Sequence, residues 1–194
     1  MWRSLFVCCV ALLVSACASG IGRPAGPMIE TGDRYAVNAL DNENYKLGFG
    51  DKLRVTVFNE PTLSGEFAVA SDGTISVPLA GTIPAGNKDV GEIATAIQNR
   101  LADGYLRDPK VSAEVIAYRP FFILGEVKAP GQYPYSSGLT VLNAIATAQG
   151  FTPRSNRSVA MIRRAGSTEE QAYRLTPELR VLPGDTIRIG ERFF

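Results

Sequence analysis

Histidine is absent from the 194 residues, and the three cysteines, Cys8, Cys9 and Cys17, all lie near the amino terminus. Without histidine the chain cannot build a Ser-His-Asp or Cys-His hydrolase, or a histidine-ligated metal site. Without cysteine after position 17, the rest of the chain has no disulfide, thiolate zinc site or cysteine nucleophile. The sequence therefore predicts no metal site and no cofactor, and it excludes several large classes of enzyme.

An excess of charge of either sign is also lacking, because 20 lysine and arginine residues stand against 19 aspartate and glutamate residues. Proteins that bind nucleic acid normally carry a marked basic excess, so we expect no nucleic-acid partner. The glycine-rich phosphate loops GxxxxGK[ST] and GxGxxG are missing. No apolar run reaches the roughly 20 residues that a membrane-spanning helix needs.

The amino terminus, in contrast, carries the pattern of an export signal. The apolar run from Leu5 to Val14 has the length of the central region of a signal peptide. It leads into Val14-Ser15-Ala16-Cys17, which resembles a bacterial lipobox. We therefore predict cleavage between Ala16 and Cys17, removal of residues 1–16, and acylation of Cys17, because several acyl chains give durable anchoring. An ordinary secretory signal is the alternative interpretation.

The remainder of the chain divides into a tether and two patterned units. Residues 17–44 are rich in glycine, proline, asparagine and aspartate and have no apolar periodicity, which is typical of a tether. Residues 45–118 and 119–194 each combine short strand patterns with a single helix pattern. Short strands mixed with isolated helices predict an α+β fold rather than a doubly wound sheet.

The predicted elements of residues 45–118 are strands at Leu53–Val57, Asp72–Leu79 and Val111–Ala117, and a helix from the Asp89 cap to Gly104. Those of residues 119–194 are strands at Phe121–Val127, Val159–Arg163, Ala172–Leu175 and Thr186–Ile189, and a helix from the Thr140 cap to Gly150. A weak internal repeat links the units, because Gly50-Asp51 before the first strand resembles Gly184-Asp185 before the last.

Candidate catalytic carboxylates are better explained by turns. Asp51, Asp72 and Asp185 each stand beside a glycine. Aspartate is favoured in turns because its side chain accepts hydrogen bonds from nearby backbone N–H groups. We therefore predict structural roles for all three, no catalytic residue, and a protein that is not an enzyme.

Aromatic and basic pairs in the second unit are the remaining candidates for binding. Tyr133 and Tyr135 flank Pro134 in a predicted loop, where they either pack or contact a glycan or a partner. Arg163-Arg164 could meet an anionic glycan, but a solvated strand end is the favoured interpretation. Phe121-Phe122 lies within a predicted strand, and we expect both rings in the core.

Several segments together resemble a known family. Those of the first unit are similar to the polysaccharide export domain of outer-membrane polysaccharide export proteins: Tyr45-x-Leu47-x-x-Gly50-Asp51-x-Leu53-x-Val55-x-Val57, Asp72 to Gly81, and Tyr105-Leu106-Arg107-Asp108-Pro109-Lys110-Val111. The second unit is similar to a soluble-ligand-binding β-grasp domain, with Gly125-Glu126-Val127-x-x-Pro130-Gly131-x-Tyr133, Thr140-Val141-Leu142-x-Ala144-Ile145, Gln149-Gly150-Phe151 and Pro183-Gly184-Asp185-x-Ile187.

The resemblance implies a periplasmic lipoprotein that forms part of a capsule or exopolysaccharide export conduit. Such subunits assemble into rings and carry polymer from an inner-membrane copolymerase towards the outer membrane. The resemblance also implies that this chain is held by a lipid anchor at the periplasmic face of the outer membrane. A monomeric periplasmic lipoprotein that binds a glycan or a small ligand is the main alternative, and an envelope enzyme is a weaker one.

The end of the sequence adds one expectation. Only five residues follow Ile189, and five helical residues extend about 7.5 Å against a hydrocarbon core of about 30 Å. We therefore expect a short form of the family, without a carboxy-terminal membrane-spanning segment, that depends on a separate outer-membrane β-barrel partner.

Overall fold

A computed structural model of the chain describes residues 45–192. The predicted signal peptide, the Ala16/Cys17 cleavage site, the acylated Cys17 and the 17–44 tether lie outside the described residues. Within 45–192 the chain has a mixed α+β architecture, as predicted. The elements, in chain order, are β1 (Lys52–Val57), β2 (Gly65–Ala68), β3 (Thr74–Val77), β4 (Gly81–Pro84), α1 (Val90–Ala102), β5 (Val111–Ala117), β6 (Phe121–Gly125), β7 (Gly131–Tyr133), α2 (Val141–Thr147), β8 (Ser155–Arg163), β9 (Gln171–Arg174) and β10 (Thr186–Glu191).

The strands of this part of the chain form three sheets, with the orders β2-β1-β5, β7-β6-β10-β8-β9 and β3-β4. Strand β10 runs parallel to β6, and the other pairings are antiparallel. The first and third sheets belong, with α1, to the amino-terminal unit. The five-stranded sheet belongs, with α2, to the carboxy-terminal unit.

The core of the amino-terminal unit follows from two periodicities. Strand β1 alternates buried and exposed residues, because successive side chains of a strand point to opposite faces. Helix α1 faces this core with Ile93, Ile97 and Leu101, all fully buried. Asp89 begins the helix with a capping box: its carboxylate accepts the Glu92 N–H at 2.9 Å, and the Glu92 carboxylate accepts the Asp89 N–H at 2.8 Å.

The carboxy-terminal unit has a separate core between its sheet and α2. Val141, Ala144 and Ile145 of the helix lie in one cluster with Ile123 and Ile187 of the central strands. The Thr140 hydroxyl caps the helix by accepting the Asn143 N–H at 3.3 Å. Each unit therefore has its own apolar core.

Three short strands and one aromatic side chain depart from the sequence-based prediction. Strands β2, β4 and β7 have only three or four residues, and glycine or proline occupies one end of each, so the period of two is too brief to detect. Strand β7 places Tyr133 at a strand end rather than in a loop. Phe122 lies on the outer face of the sheet, 39% exposed, because its neighbour Phe121 takes the core position.

Both helices are short, with 13 and seven residues. Among the described residues, no helix has the length and apolar character needed to cross a membrane.

Candidate functional site

Two glycine–aspartate turns lie at the junction between the units, and they have the same hydrogen bonds. The Asp51 N–H donates to the Gly48 carbonyl at 3.1 Å, and the Asp185 N–H donates to the Leu182 carbonyl, also at 3.1 Å. In return, the carboxylate of Asp51 accepts the Gly48 N–H, and that of Asp185 accepts the Leu182 N–H, each at 2.7 Å. The weak sequence repeat thus corresponds to one turn built twice, each leading into a central strand.

Asp51 joins the two units through its carboxylate, which is fully buried. Oδ2 accepts the Tyr45 hydroxyl at 2.7 Å, and Oδ1 accepts the backbone N–H of Arg119, also at 2.7 Å. The pKa of the Tyr45 hydroxyl is raised well above its usual value, mainly by burial and secondly by its hydrogen bond to Asp51. A carboxylate with this many donors holds a turn and a linker in place, in agreement with a structural role.

Asp185 is also fully buried, and besides the Leu182 N–H its carboxylate has a side-chain partner. The Arg164 guanidinium lies 2.5 Å from its Oδ2 and also donates to the Arg180 carbonyl at 3.2 Å. Burial raises the pKa of Asp185, although the positive charge of Arg164 opposes this.

The interpretation of Arg163-Arg164 as a solvated strand end therefore holds for Arg163, the exposed last residue of β8, but is wrong for Arg164, whose side chain is only 18% exposed and is engaged within the protein. The Arg164 guanidinium also lies 5.3 Å from the centroid of the Tyr173 ring. Arg163 donates to the Thr186 hydroxyl at 3.1 Å. Residue type alone cannot identify such partners, because they come from strands distant in sequence.

Arg119 lies between the two turns. Its Nε donates to the Pro183 carbonyl at 2.9 Å. A methyl group added to Gly48 would lie 1.4 Å from the Arg119 guanidinium, and one added to Gly184 would lie 2.9 Å from Arg119 Nε. The glycines therefore allow the arginine to pass between the backbones of the two units.

Three tyrosine rings cross the same junction. Tyr118 makes edge-to-face contacts with Tyr45, at 4.9 Å between ring centroids, and with Tyr135, at 5.4 Å. Tyr45 packs on the amino-terminal core and Tyr135 belongs to the carboxy-terminal core. Burial raises the pKa of Tyr135 to about 12. A cavity of about 220 Å³ lies at the same junction, next to one of these tyrosines, and is lined by Tyr45, Lys46, Arg119, Arg164, Ala165, Leu182, Pro183 and Asp185.

Tyr133, the other tyrosine singled out from the sequence, is half-buried. Its ring stacks on Phe121 with 5.9 Å between centroids, and its hydroxyl donates to the Ala129 carbonyl at 2.7 Å. Both observations describe packing within the carboxy-terminal unit, while part of the ring reaches the surface.

A larger cavity, of about 410 Å³, lies at the end of β1 and is lined by Thr56, Phe58, Lys110, Val111 and Ser112. Phe58 is 69% exposed. The sequence analysis missed this groove, although one signal was present. Phe58 continues the outward-facing series of β1, so the alternation places an aromatic ring on the solvent side.

The described residues offer hydrogen bonding, ion pairing and stacking. In residues 45–192, no group of three or more acidic or cysteine side chains is arranged to hold a metal ion.

Comparison with known proteins agrees with this two-unit arrangement. Residues 39–116 match the family model described as polysaccharide biosynthesis/export protein, and residues 120–173 match that of the SLBB domain. The chain is 37% identical over 126 residues to the exopolysaccharide production protein ExoF of Rhizobium meliloti strain 1021, covering 59% of this chain and 30% of the relative. It is 23% identical over 161 residues to the polysialic acid transport protein KpsD of Escherichia coli, covering 78% of this chain and 29% of the relative. The chain thus spans under a third of the length of these relatives.

Proposed function

The chain belongs to the family of polysaccharide export proteins, with an export domain followed by an SLBB domain, and we propose that it is a subunit of an exopolysaccharide or capsule export conduit. The observation that carries the proposal is the presence of both domains in one chain and in this order. Relatives named for exopolysaccharide production and for polysialic acid transport support it. The proposal assigns transport of a polymer to this chain and no reaction.

The location within the envelope is part of the proposal. Cleavage between Ala16 and Cys17 and acylation of Cys17 would tether the 45–118 and 119–194 units to the outer membrane, facing the periplasm. A conduit needs several copies around a common axis, and closed cyclic symmetry provides this. An inner-membrane copolymerase on one side and an outer-membrane partner on the other complete the proposed path.

The tyrosines of the carboxy-terminal unit receive different roles. Tyr135 is 7% exposed and lies against Tyr118, so we assign it to packing at the junction. Tyr133 keeps its proposed role as a contact for glycan or partner, through the part of its ring that reaches the surface.

Deletion of the gene in its native host, with complementation, tests the function. We expect polymer to disappear from the cell surface and to accumulate inside the envelope, with the wild-type gene restoring export. A variant with Cys17→Ser should lose labelling by a fatty-acid analogue and restore export poorly. Surface polymer that is unchanged in the deletion strain would contradict the proposal.

The oligomeric state separates the conduit from its alternative. The conduit proposal expects a single closed assembly when the full-length protein is extracted in detergent and weighed by native mass spectrometry. A purely monomeric species that binds glycan would favour a periplasmic binding lipoprotein instead.

A further inference from the structure

The groove at the end of β1 is built from two facing pairs of residues. Thr56 of β1 lies opposite Ser112 of β5 in the strand register. Two residues further along the chain, the Phe58 N–H donates to the Lys110 carbonyl at 2.9 Å, so Phe58 lies opposite Lys110 and continues the pairing of β1 with β5. Side chains two residues apart on a strand share a face, so these four side chains form one outward-facing patch.

The chemistry of this patch suits a hydroxylated ring. Phe58 is the most exposed of the large apolar side chains in residues 45–192, and it lines the cavity together with Thr56 and Ser112. The Thr56 and Ser112 hydroxyls are exposed and make no hydrogen bond to other described residues. Lys110 pairs with Asp108 at 3.0 Å, but both side chains are more than half exposed, so this ion pair exchanges readily with other ligands.

We propose that this groove binds one sugar unit of the exported polymer, an inference that rests on the proposed function. The weakly positive C–H face of the sugar lies on the negative face of the Phe58 ring. The hydroxyls of Thr56 and Ser112 exchange hydrogen bonds with sugar hydroxyls. The Lys110 ammonium donates to a ring or glycosidic oxygen, or to a sugar carboxylate where the polymer has one.

Size favours a sugar over a protein in this groove. Small-molecule sites have volumes of about 300–1,000 Å³, and this groove has about 410 Å³. A stable protein interface instead buries roughly 800 Å² on each partner and takes 20–30 residues a side, whereas five residues of the 45–192 range line the groove. A shallow, open site also suits transport, because a polymer must be bound weakly enough to move on.

Titration of the isotope-labelled full-length protein with short fragments of the polysaccharide that the native host exports tests the proposal. We expect NMR shift changes centred on Thr56, Phe58 and Ser112. Phe58→Ala should weaken binding about tenfold or more, and Phe58→Trp should retain it because the aromatic face is kept. Phe49→Ala is the matched control, since Phe49 is 66% exposed at the opposite end of β1 and should leave affinity unchanged.

Further experiments identify the ligand chemistry and distinguish failure of this sugar site from failure of the proposed export function. The double variant Thr56→Val, Ser112→Ala should also weaken binding while the ring stays in place. Carboxyl-reduced fragments show whether Lys110 meets a sugar carboxylate or a neutral oxygen. Absence of binding, shift changes elsewhere, or equal losses with Phe58→Ala and Phe49→Ala would overturn the sugar site. Gene deletion tests the conduit independently, so export lost on deletion but unaffected by Phe58→Ala would leave the function standing without this site.

Discussion

At the scale of single residues, buried aspartates organise the junction. The Asp51 carboxylate receives hydrogen bonds from Tyr45, Gly48 and Arg119, which come from a loop, a turn and the linker between the units. A buried donor left without an acceptor costs about 1–3 kcal/mol. A single carboxylate thus satisfies three groups that would otherwise destabilise the fold.

The first prediction follows from this arrangement. Asp51→Ala should lower the free energy of unfolding by about 3 kcal/mol, because three partly buried donors lose a fully buried acceptor together. Urea denaturation monitored by circular dichroism measures the change. Asp72→Ala is the matched control, because Asp72 accepts bonds from Thr74 in an exposed turn and its loss leaves no buried donor. Similar losses for both variants would show that burial of the Asp51 bonds is not decisive.

At the scale of secondary structure, the start of α1 depends on charge. The hydrogen bond from the Glu92 N–H is the main cause that lowers the pKa of Asp89, and the hydrogen bond from Lys46 is the second. The pKa of Glu92 is lowered in the same way, mainly by the Asp89 N–H and secondly by Lys46. Both carboxylates are therefore favoured in the ionised form when the protein is folded. Their contribution to stability is present above their ordinary pKa values of about 4, and it is lost as the pH falls through the lowered values.

The second prediction concerns this acid dependence. Asp89→Asn should preserve the helix cap but reduce the loss of stability between about pH 5 and pH 2, because asparagine caps well and carries no charge. Asp89→Ala should reduce stability at neutral pH as well, because it removes the cap itself. Urea titrations at a series of pH values distinguish these effects. An acid dependence that is identical in wild type and Asp89→Asn would contradict the assignment.

Elements with a long, regular pattern could be predicted from the sequence, and brief ones could not. Strand β1 and helix α1 have clear periods and caps, so their location and buried faces were predicted correctly. Strands β2, β4 and β7 form because a neighbouring strand offers hydrogen bonds, which no local pattern records. The turn role of Asp185 followed from its glycine neighbour, but its pairing with Arg164 depends on how the strands associate. The groove at Phe58 depends in the same way on β5 lying beside β1.

At the scale of the molecule, two cores are joined by a narrow set of contacts. The linker Tyr118-Arg119 makes them: the tyrosine ring lies between Tyr45 and Tyr135, and the arginine reaches Pro183 across the junction. A ring of identical copies requires each copy to present its two units at one angle. We infer that these junction contacts supply that constraint in the proposed conduit.

The last prediction tests this constraint. The double variant Tyr118→Ala, Arg119→Ala should keep both cores folded but free the angle between the units, because the ring contacts and the bond to Pro183 are lost together. We expect the wild type to unfold in one thermal transition and the double variant in two, and we expect the small-angle scattering profile of the variant to shift towards larger dimensions. Arg54→Ala is the control, since Arg54 pairs with Glu66 and Glu114 inside one unit. An unchanged profile and a single transition in the double variant would mean that other contacts fix the angle. In that case the bond from the backbone N–H of residue 119 to Asp51, which the variant keeps, would be the next contact to remove.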